Sequence, residues 1–187
     1  MSVAGLVLAA GAGRRSGGPK ALRTREDGTT WVAYALAQVR AGGCTPCRVV
    51  VGARAEEARA ALGPLPDDVE VVTAADWDEG MAASLRGGLR ALAGTDAVAC
   101  LVHLVDLPDV TAAVVARVWA AVDGPETLAR AAYDGTPGHP VLLGRAHWAE
   151  ILAGAAGDRG ARDYLAEHAP VLVECGDLAT GVDRDHG

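Results

Sequence analysis

The residues best suited to chemistry lie in a glycine-rich loop near the start of the chain. The loop combines four glycines with three cations, namely Gly11, Gly13, Gly17, Gly18, Arg14, Arg15 and Lys20. Glycine has no Cβ atom, so its backbone amide can approach an anion closely, and the neighbouring cations would neutralise that anion. We therefore expect the loop to bind the phosphates of a nucleotide. A solvent-exposed charged turn is the alternative interpretation.

The distribution of charge favours the phosphate site. The chain contains 17 basic and 24 acidic residues, yet residues 1–25 contain five bases and no acid. Lys20 is the only lysine, which suggests a function that arginine fulfils poorly, such as a compact charge against a phosphate. The net charge of −7 argues against binding to nucleic acid or to an anionic membrane.

Two common phosphate-binding motifs do not fit the loop. The dinucleotide fingerprint would need glycine in place of Ser16, and a P-loop would need lysine in place of Pro19. The segment LAAGAGRRSGGPKAL instead resembles the signature of the MobA-like NTP transferases, the family of molybdopterin cytidylyltransferases and guanylyltransferases. The matching residues are Leu8, Ala9, Ala10, Gly11, Gly13, Arg15, Gly18 and Lys20.

This resemblance implies which residues contact the nucleotide. DWDEGMAASLRGGL at residues 76–89 resembles a second element of the family, from which Ser84 is carried over. The implied nucleotide-binding residues are Leu8, Ala9, Ala10, Gly11, Gly13, Lys20 and Ser84. Lys20, with Arg14 or Arg15, would act catalytically by neutralising the β- and γ-phosphates. Alanine at position 10 goes with cytidine in the family and glycine with guanine, so CTP is the first choice and GTP the second.

Alternating apolar strands and helices must position the loop. The pattern predicts strands at 3–10, 48–51, 69–73, 96–106, 128–133 and 171–174, and helices at 31–40, 56–62 and 112–121. This alternation is typical of an α/β fold with a mostly parallel central sheet, in which ligands bind beyond the carboxyl ends of the strands. We predict a single three-layer domain over residues 1–187, and the resemblance implies the Rossmann-like nucleotidyltransferase fold.

A metal site is expected at Asp106, which ends the most apolar predicted strand and precedes Leu107-Pro108. A carboxylate in this place can hold a metal ion over the site, and capping of a helix is the alternative. The segment resembles the family's D-x-P motif, which implies that Asp106 binds Mg²⁺. The tail GVDRDHG resembles the family element with the second carboxylate, which implies that Asp183 and Asp185 are metal ligands, although Arg184 replaces an apolar residue.

Two further segments are assigned to the acceptor. GHPVLL at 138–143 and GDRGARDY at 157–164 resemble family elements, which implies that His139, Asp158 and Arg162 bind the acceptor. A rigid turn at His139 and a surface ion pair at Arg162 stay open as alternatives. His103, inside a predicted strand, is expected to be a core histidine.

The expected function is Mg²⁺-dependent transfer of a nucleoside monophosphate to a phosphorylated acceptor, with molybdopterin as the first candidate and a molybdenum hydroxylase as the recipient of the product. Two other classes stay open. One is an NAD(P)-dependent oxidoreductase of the nicotine-blue type, and the other is a non-catalytic accessory protein of a molybdenum enzyme. We expect a cytoplasmic protein, because no apolar run could span a membrane and no basic segment precedes residues 3–10.

Overall fold

The computed structural model of the chain describes residues 1–14 and 17–184. Strands and helices alternate along most of the sequence. The strands are β1 (Val3–Ala9), β2 (Cys47–Val51), β3 (Val69–Thr73), β4 (Ala99–Leu104), β5 (Leu128–Tyr133), β6 (Thr136–Gly144) and β7 (Val171–Glu174). The helices are α1 (Trp31–Ala41), α2 (Ala55–Leu62), α3 (Met81–Leu92), α4 (Ala112–Trp119), α5 (Trp148–Gly154) and α6 (Arg162–His168).

All seven strands belong to one sheet, in the order β3-β2-β1-β4-β6-β5-β7. β1 pairs in parallel with β2 and β4, β2 pairs in parallel with β3, and β5 pairs in parallel with β7. β6 is antiparallel to both of its neighbours, β4 and β5. The predicted α/β fold with a mostly parallel sheet is therefore confirmed. The parallel pairing of β1 with β4 places their carboxyl ends at the same edge of the sheet.

The helices cover both faces of this sheet, which gives the three predicted layers. Side chains of β1 alternate between two apolar clusters, as the period of a strand requires: Val7 packs with α1, α2 and α4, whereas Leu6 packs with α3, α5 and α6. Every residue of β1 is buried, because helices lie above and below it. Among the described residues, no helix is long and apolar enough to cross a membrane.

β6 was not predicted as a strand. Pro137 and Pro140 both lie in it, and proline is normally excluded from the interior of a sheet because it cannot donate a backbone hydrogen bond. The structure accommodates them where the register between β5 and β6 shifts, between Arg130 and Ala132. The predicted strand at 96–106 is also shorter than expected, since β4 ends at Leu104 and leaves Asp106 in the turn that follows.

The four cysteines are free and buried. Cys44 lies between α1 and β2 and Cys47 begins β2, where burial raises the pKa of the Cys47 thiol to about 11. A thiol with so high a pKa is a poor nucleophile at neutral pH. These residues therefore belong to the core and not to the site.

Candidate active site

The glycine loop lines a cleft of about 380 Å³ beyond the carboxyl ends of β1 and β4. We call it the first cleft. The predicted nucleotide-binding residues all line it: Leu8, Ala9, Ala10, Gly11, Gly13, Lys20 and Ser84. Arg14 lines it as well, whereas Arg15 lies outside the described residues. Gly13 has a φ of 58°, a conformation that glycine adopts at no steric cost, and its carbonyl accepts a hydrogen bond from Gly18 N–H at 3.1 Å.

Lys20 and Asp106 form an ion pair at the base of the first cleft. Lys20 begins a short 3-10 helix, Lys20–Leu22, and its Nζ atom lies 2.7 Å from Oδ2 of Asp106. Both side chains are only 17% exposed. The fold thus brings together two residues that lie 86 positions apart in the sequence. The sequence had suggested Lys20 for phosphate neutralisation and Asp106 for metal binding.

Asp106 has further capacity to bind a cation. Its Oδ1 atom is buried and has no hydrogen-bond partner among the described residues, which is unfavourable for a carboxylate oxygen unless a ligand completes its contacts. Asp183 lines a cleft together with Asp106. One or two carboxylates combined with substrate phosphates form a normal environment for Mg²⁺, so these residues fit a divalent metal ion. In residues 1–14 and 17–184, no group of three or more His, Cys, Asp or Glu side chains could hold a metal by itself.

The tail that carries Asp183 is attached to the body of the protein. Arg117 forms an ion pair with Asp177, and Oδ2 of Asp109 accepts hydrogen bonds from the backbone N–H and the hydroxyl of Thr180. The backbone N–H of Arg184 then donates to the carbonyl of Asp106 at 3.0 Å. We call residues 177–184 the tail strap. Asp185 lies outside the described residues.

A second cleft, of about 360 Å³, adjoins the first. The three residues predicted to bind the acceptor, His139, Asp158 and Arg162, all line it. Both clefts share Leu8, Met81, Leu104, Asp106 and Asp158 in their walls. Asp106 therefore lies where a ligand of the first cleft would meet a ligand of the second.

Asp158 is held between the clefts by a close backbone contact. Gly80 precedes α3 with a φ of 110°, and a Cβ atom at this position would lie 2.5 Å from Oδ1 of Asp158 and 2.6 Å from the carbonyl carbon of Gly157. A side chain cannot be accommodated at such distances. The start of α3 and the segment at 157–160 consequently form one wall.

The histidines near the second cleft are kept neutral. Burial, together with the positive charges of Arg130 and Arg162, lowers the pKa of His139 to about 4. His103 is 1% exposed and burial lowers its pKa to about 3, which confirms the expectation of a core histidine. At neutral pH His139 can therefore orient a ligand by hydrogen bonding without adding a positive charge.

Arg130 is a residue of the second cleft that the sequence analysis did not identify. It lies in the middle of β5, and its guanidinium Nε and Nη2 atoms both donate to the carbonyl of Gly138, at 3.2 and 3.1 Å. A single arginine in the otherwise apolar strand LARAAY was the only signal in the sequence.

The fold and the two adjoining clefts are those of a nucleotidyltransferase. A family model, the MobA-like NTP transferase domain, matches residues 5–171. The chain therefore belongs to the MobA-like NTP transferase family, as the resemblance had suggested.

Individual relatives are similar to this chain in fold or in sequence. A nucleotidyl transferase from Methanothermobacter thermautotrophicus is 26% identical, with a TM-score of 0.82 over 99% of this chain and 92% of that one. Rv0371C of Mycobacterium tuberculosis in complex with manganese is 29% identical, with a TM-score of 0.75 over 98% and 94%. The nicotine blue oxidoreductase of Paenarthrobacter nicotinovorans is 34% identical over 98% of this chain and 92% of its own length.

Proposed function

We propose that the protein transfers a nucleoside monophosphate from a nucleoside triphosphate to a phosphorylated small molecule and releases pyrophosphate. The position of Asp106 carries this proposal. Its carboxylate lies where the two clefts meet. The first cleft contains the glycine loop and Lys20, and the second cleft contains basic side chains. An enzyme that joins two phosphorylated substrates needs two such compartments, with a negative group between them that can hold a cation.

In the first cleft, the backbone amides around Gly11 and Gly13 and the side chains of Arg14 and Lys20 hold the triphosphate. Ser84 lies at the start of α3, where its hydroxyl and the backbone amides of the first turn can contact the nucleotide. Lys20 leaves its partner Asp106 for the phosphates when the nucleotide binds. Arg15 has the same proposed role as Arg14.

Asp106 and Asp183 hold a divalent metal, for which Mg²⁺ is our choice, and Asp185 is a further candidate ligand. When bound, such a metal neutralises charge on the α-phosphate and on the incoming phosphate. The manganese complex of the mycobacterial relative is consistent with a divalent ion in this family. The protein residues supply positioning and charge, so no covalent intermediate with the enzyme and no dedicated base are required.

In the second cleft, His139, Asp158 and Arg162 bind the acceptor, whose phosphate attacks the α-phosphorus in line. The P–O bond to the β-phosphate breaks, and pyrophosphate leaves with the displaced electron pair. We propose CTP as the donor, with GTP second, and molybdopterin as the acceptor, with the product passed to a molybdenum hydroxylase in the cytoplasm. Ala10 supports cytidine through the family pattern.

Calorimetric titration tests this proposal. Wild-type protein and Lys20→Ala are titrated with CTP, GTP and ATP, each with and without Mg²⁺, and pyrophosphate release is then measured with molybdopterin. Arg90→Gln, a change of the same charge on the exposed end of α3, is the control. Metal-dependent CTP binding that is weakened in Lys20→Ala only, together with pyrophosphate release, supports the proposal. Absence of metal-dependent nucleotide binding by the wild type contradicts it.

A second candidate is an NAD(P)-dependent oxidoreductase, which is favoured by the similarity to the 34% identical nicotine blue oxidoreductase. The end of β2 argues against it. An NAD-binding Rossmann fold has a ribose-binding acid there, but this strand is followed by Gly52 and Ala53. A Cβ atom at Gly52 would lie 2.5 Å from Cβ of Trp77, so the space is filled.

The same titration separates the classes when NADPH is added as a fourth ligand. Tight NADPH binding that needs neither Mg²⁺ nor Lys20 would favour the oxidoreductase. Nucleotide binding without pyrophosphate release in the presence of any offered acceptor would instead favour an accessory protein.

A further inference from the structure

The second cleft contains an arginine whose surroundings are unusual for a charged side chain. Arg130 lies on β5, is partly buried, and forms no ion pair within the described part of the chain. Arg162 lies close enough for its charge to interact with that of Arg130, and burial together with Arg162 lowers the pKa of Arg130. Such an arrangement of cations is unfavourable until an anion binds among them.

The guanidinium of Arg130 is fixed in position by the adjacent strand. Nε and Nη2 both donate to the carbonyl of Gly138, so the orientation of the group is set by the backbone of β6. Both N–H bonds of Nη1 and the second one of Nη2 make no hydrogen bond to the described residues. Two terminal nitrogens with parallel N–H bonds match the spacing of two phosphate oxygens.

Arg130 belongs to the second cleft only. It does not line the first cleft, where the glycine loop and Lys20 lie, so the triphosphate is not its natural ligand. Arg159, another arginine of the second cleft, is already paired with Asp163 at 2.5 Å. Arg130 and Arg162 therefore remain for a second anion.

We propose that Arg130, oriented by the carbonyl of Gly138, binds a phosphate monoester in the second cleft together with Arg162, and thereby sets the requirement for a phosphorylated acceptor. This inference rests on the proposed function, because it deepens the role of the acceptor compartment. The phosphate is bound through charge-assisted hydrogen bonds. His139 lies beside it as a neutral group.

Titration with inorganic phosphate at constant ionic strength tests the proposal. The proteins are wild type, Arg130→Gln, Arg130→Lys and the control Arg90→Gln. We expect the phosphate Kd of Arg130→Gln to rise about tenfold or more, because two charge-assisted hydrogen bonds are lost. Arg130→Lys keeps the positive charge but lacks the two terminal guanidinium nitrogens, so its phosphate Kd should lie between those of the wild type and Arg130→Gln. The Kd of Arg90→Gln should match that of the wild type.

Two further measurements exclude a structural effect and a different site. Mg²⁺-dependent CTP binding should change less than about twofold in Arg130→Gln, because the residue lies outside the first cleft. Lys20→Ala should keep its phosphate binding. If Arg130→Gln unfolds, the comparison of Arg130→Lys with the wild type decides.

The proposal is overturned by unchanged phosphate affinity in Arg130→Gln, by phosphate binding that depends on Lys20 instead, or by a wild type that does not bind phosphate. A failure of the proposed function has a different signature, namely a wild type without metal-dependent nucleotide binding. A chain that binds CTP with Mg²⁺ but loses no phosphate affinity in Arg130→Gln would refute this inference alone.

Discussion

The Nζ atom of Lys20 lies 2.7 Å from Oδ2 of Asp106, and this contact joins the glycine loop to the carboxyl end of β4. Both groups are largely shielded from water, so their interaction is less screened than that of a surface pair. The pair keeps the ammonium group of Lys20 beside the Asp106 carboxylate at the junction of the two clefts. A nucleotide with its metal ion would replace this contact with two new ones, Lys20 to phosphate and Asp106 to metal.

The first prediction concerns Lys20→Ala. We expect a decrease of about 10²- to 10³-fold in the rate of pyrophosphate release, which corresponds to about 3–4 kcal/mol in activation free energy, because a charge directed at the phosphates is lost. Steady-state kinetics with CTP and Mg²⁺ measure this. Lys20→Arg should recover only part of the rate, since the guanidinium is larger and planar. A full recovery in Lys20→Arg would contradict the role of a compact charge.

The second prediction concerns the wall between the clefts. Gly80→Ala should destabilise the protein by about 1–3 kcal/mol, because alanine is strained at a φ of 110° and its methyl group would overlap Asp158 and Gly157. Denaturant unfolding measures the change. Gly87→Ala is the matched control in α3, where a Cβ atom would meet nothing within 4 Å. It should be neutral or stabilising by up to about 1 kcal/mol.

The third prediction concerns the tail strap. Asp109→Ala removes the acceptor of both hydrogen bonds from Thr180, so Asp183 should be held less firmly near Asp106. We expect metal affinity in the presence of CTP to fall about three- to tenfold, measured by titration with Mn²⁺. Asp177→Asn breaks a more exposed ion pair of the same strap and should change the affinity less. Equal effects of the two substitutions would show that the strap acts as a whole.

The fourth prediction concerns pH. The pKa of His103 is about 3 in the folded protein, below its ordinary value of 6.5, so the unfolded chain binds a proton that the folded chain does not. Stability is therefore complete above pH 6.5 and decreases as the pH falls toward 3, by up to about 1.4 kcal/mol per pH unit for this group. Chemical unfolding between pH 7 and 4.5 measures the slope.

His103→Leu is the control for this slope. Leucine cannot take up a proton, and it is an apolar residue of similar size at a position that is 1% exposed, so the fold should be retained. His139 also has a lowered pKa and remains in the variant, so the slope should decrease but not vanish. An unchanged slope would mean that His103 is accessible to protons in the folded state.

Much of the fold and of the first cleft follows from local sequence. The run from Val3 to Ala10 is apolar and ends in glycines, so both a buried strand and a loop beyond its carboxyl end could be predicted. Asp106 could be placed at the same edge because parallel strands align their ends. The direct contact between Lys20 and Asp106 was not predicted, since it depends on the register between β1 and β4.

The structural features that were not predicted depend on contacts between residues far apart in the sequence. β6 contains two prolines and contradicts the usual pattern of a strand, and only its position between β4 and β5 explains it. Arg130 was not identified because its role depends on the hydrogen bond to Gly138 on the neighbouring strand and on the charge of Arg162. Neither contact can be inferred from the sequence around Arg130. The hydrogen bonds from Thr180 to Asp109 likewise join positions 71 residues apart.

The tail strap also bears on the order in which the protein can become active during synthesis. β1 and the glycine loop emerge from the ribosome before β7, which completes the sheet by residue 174. Asp183 comes after Thr180, the strap residue that contacts Asp109. A chain that stops at residue 176 would therefore keep all seven strands but lack one of the two carboxylates proposed for the metal. Folding and competence for catalysis would thus be separated by the synthesis of residues 177–183.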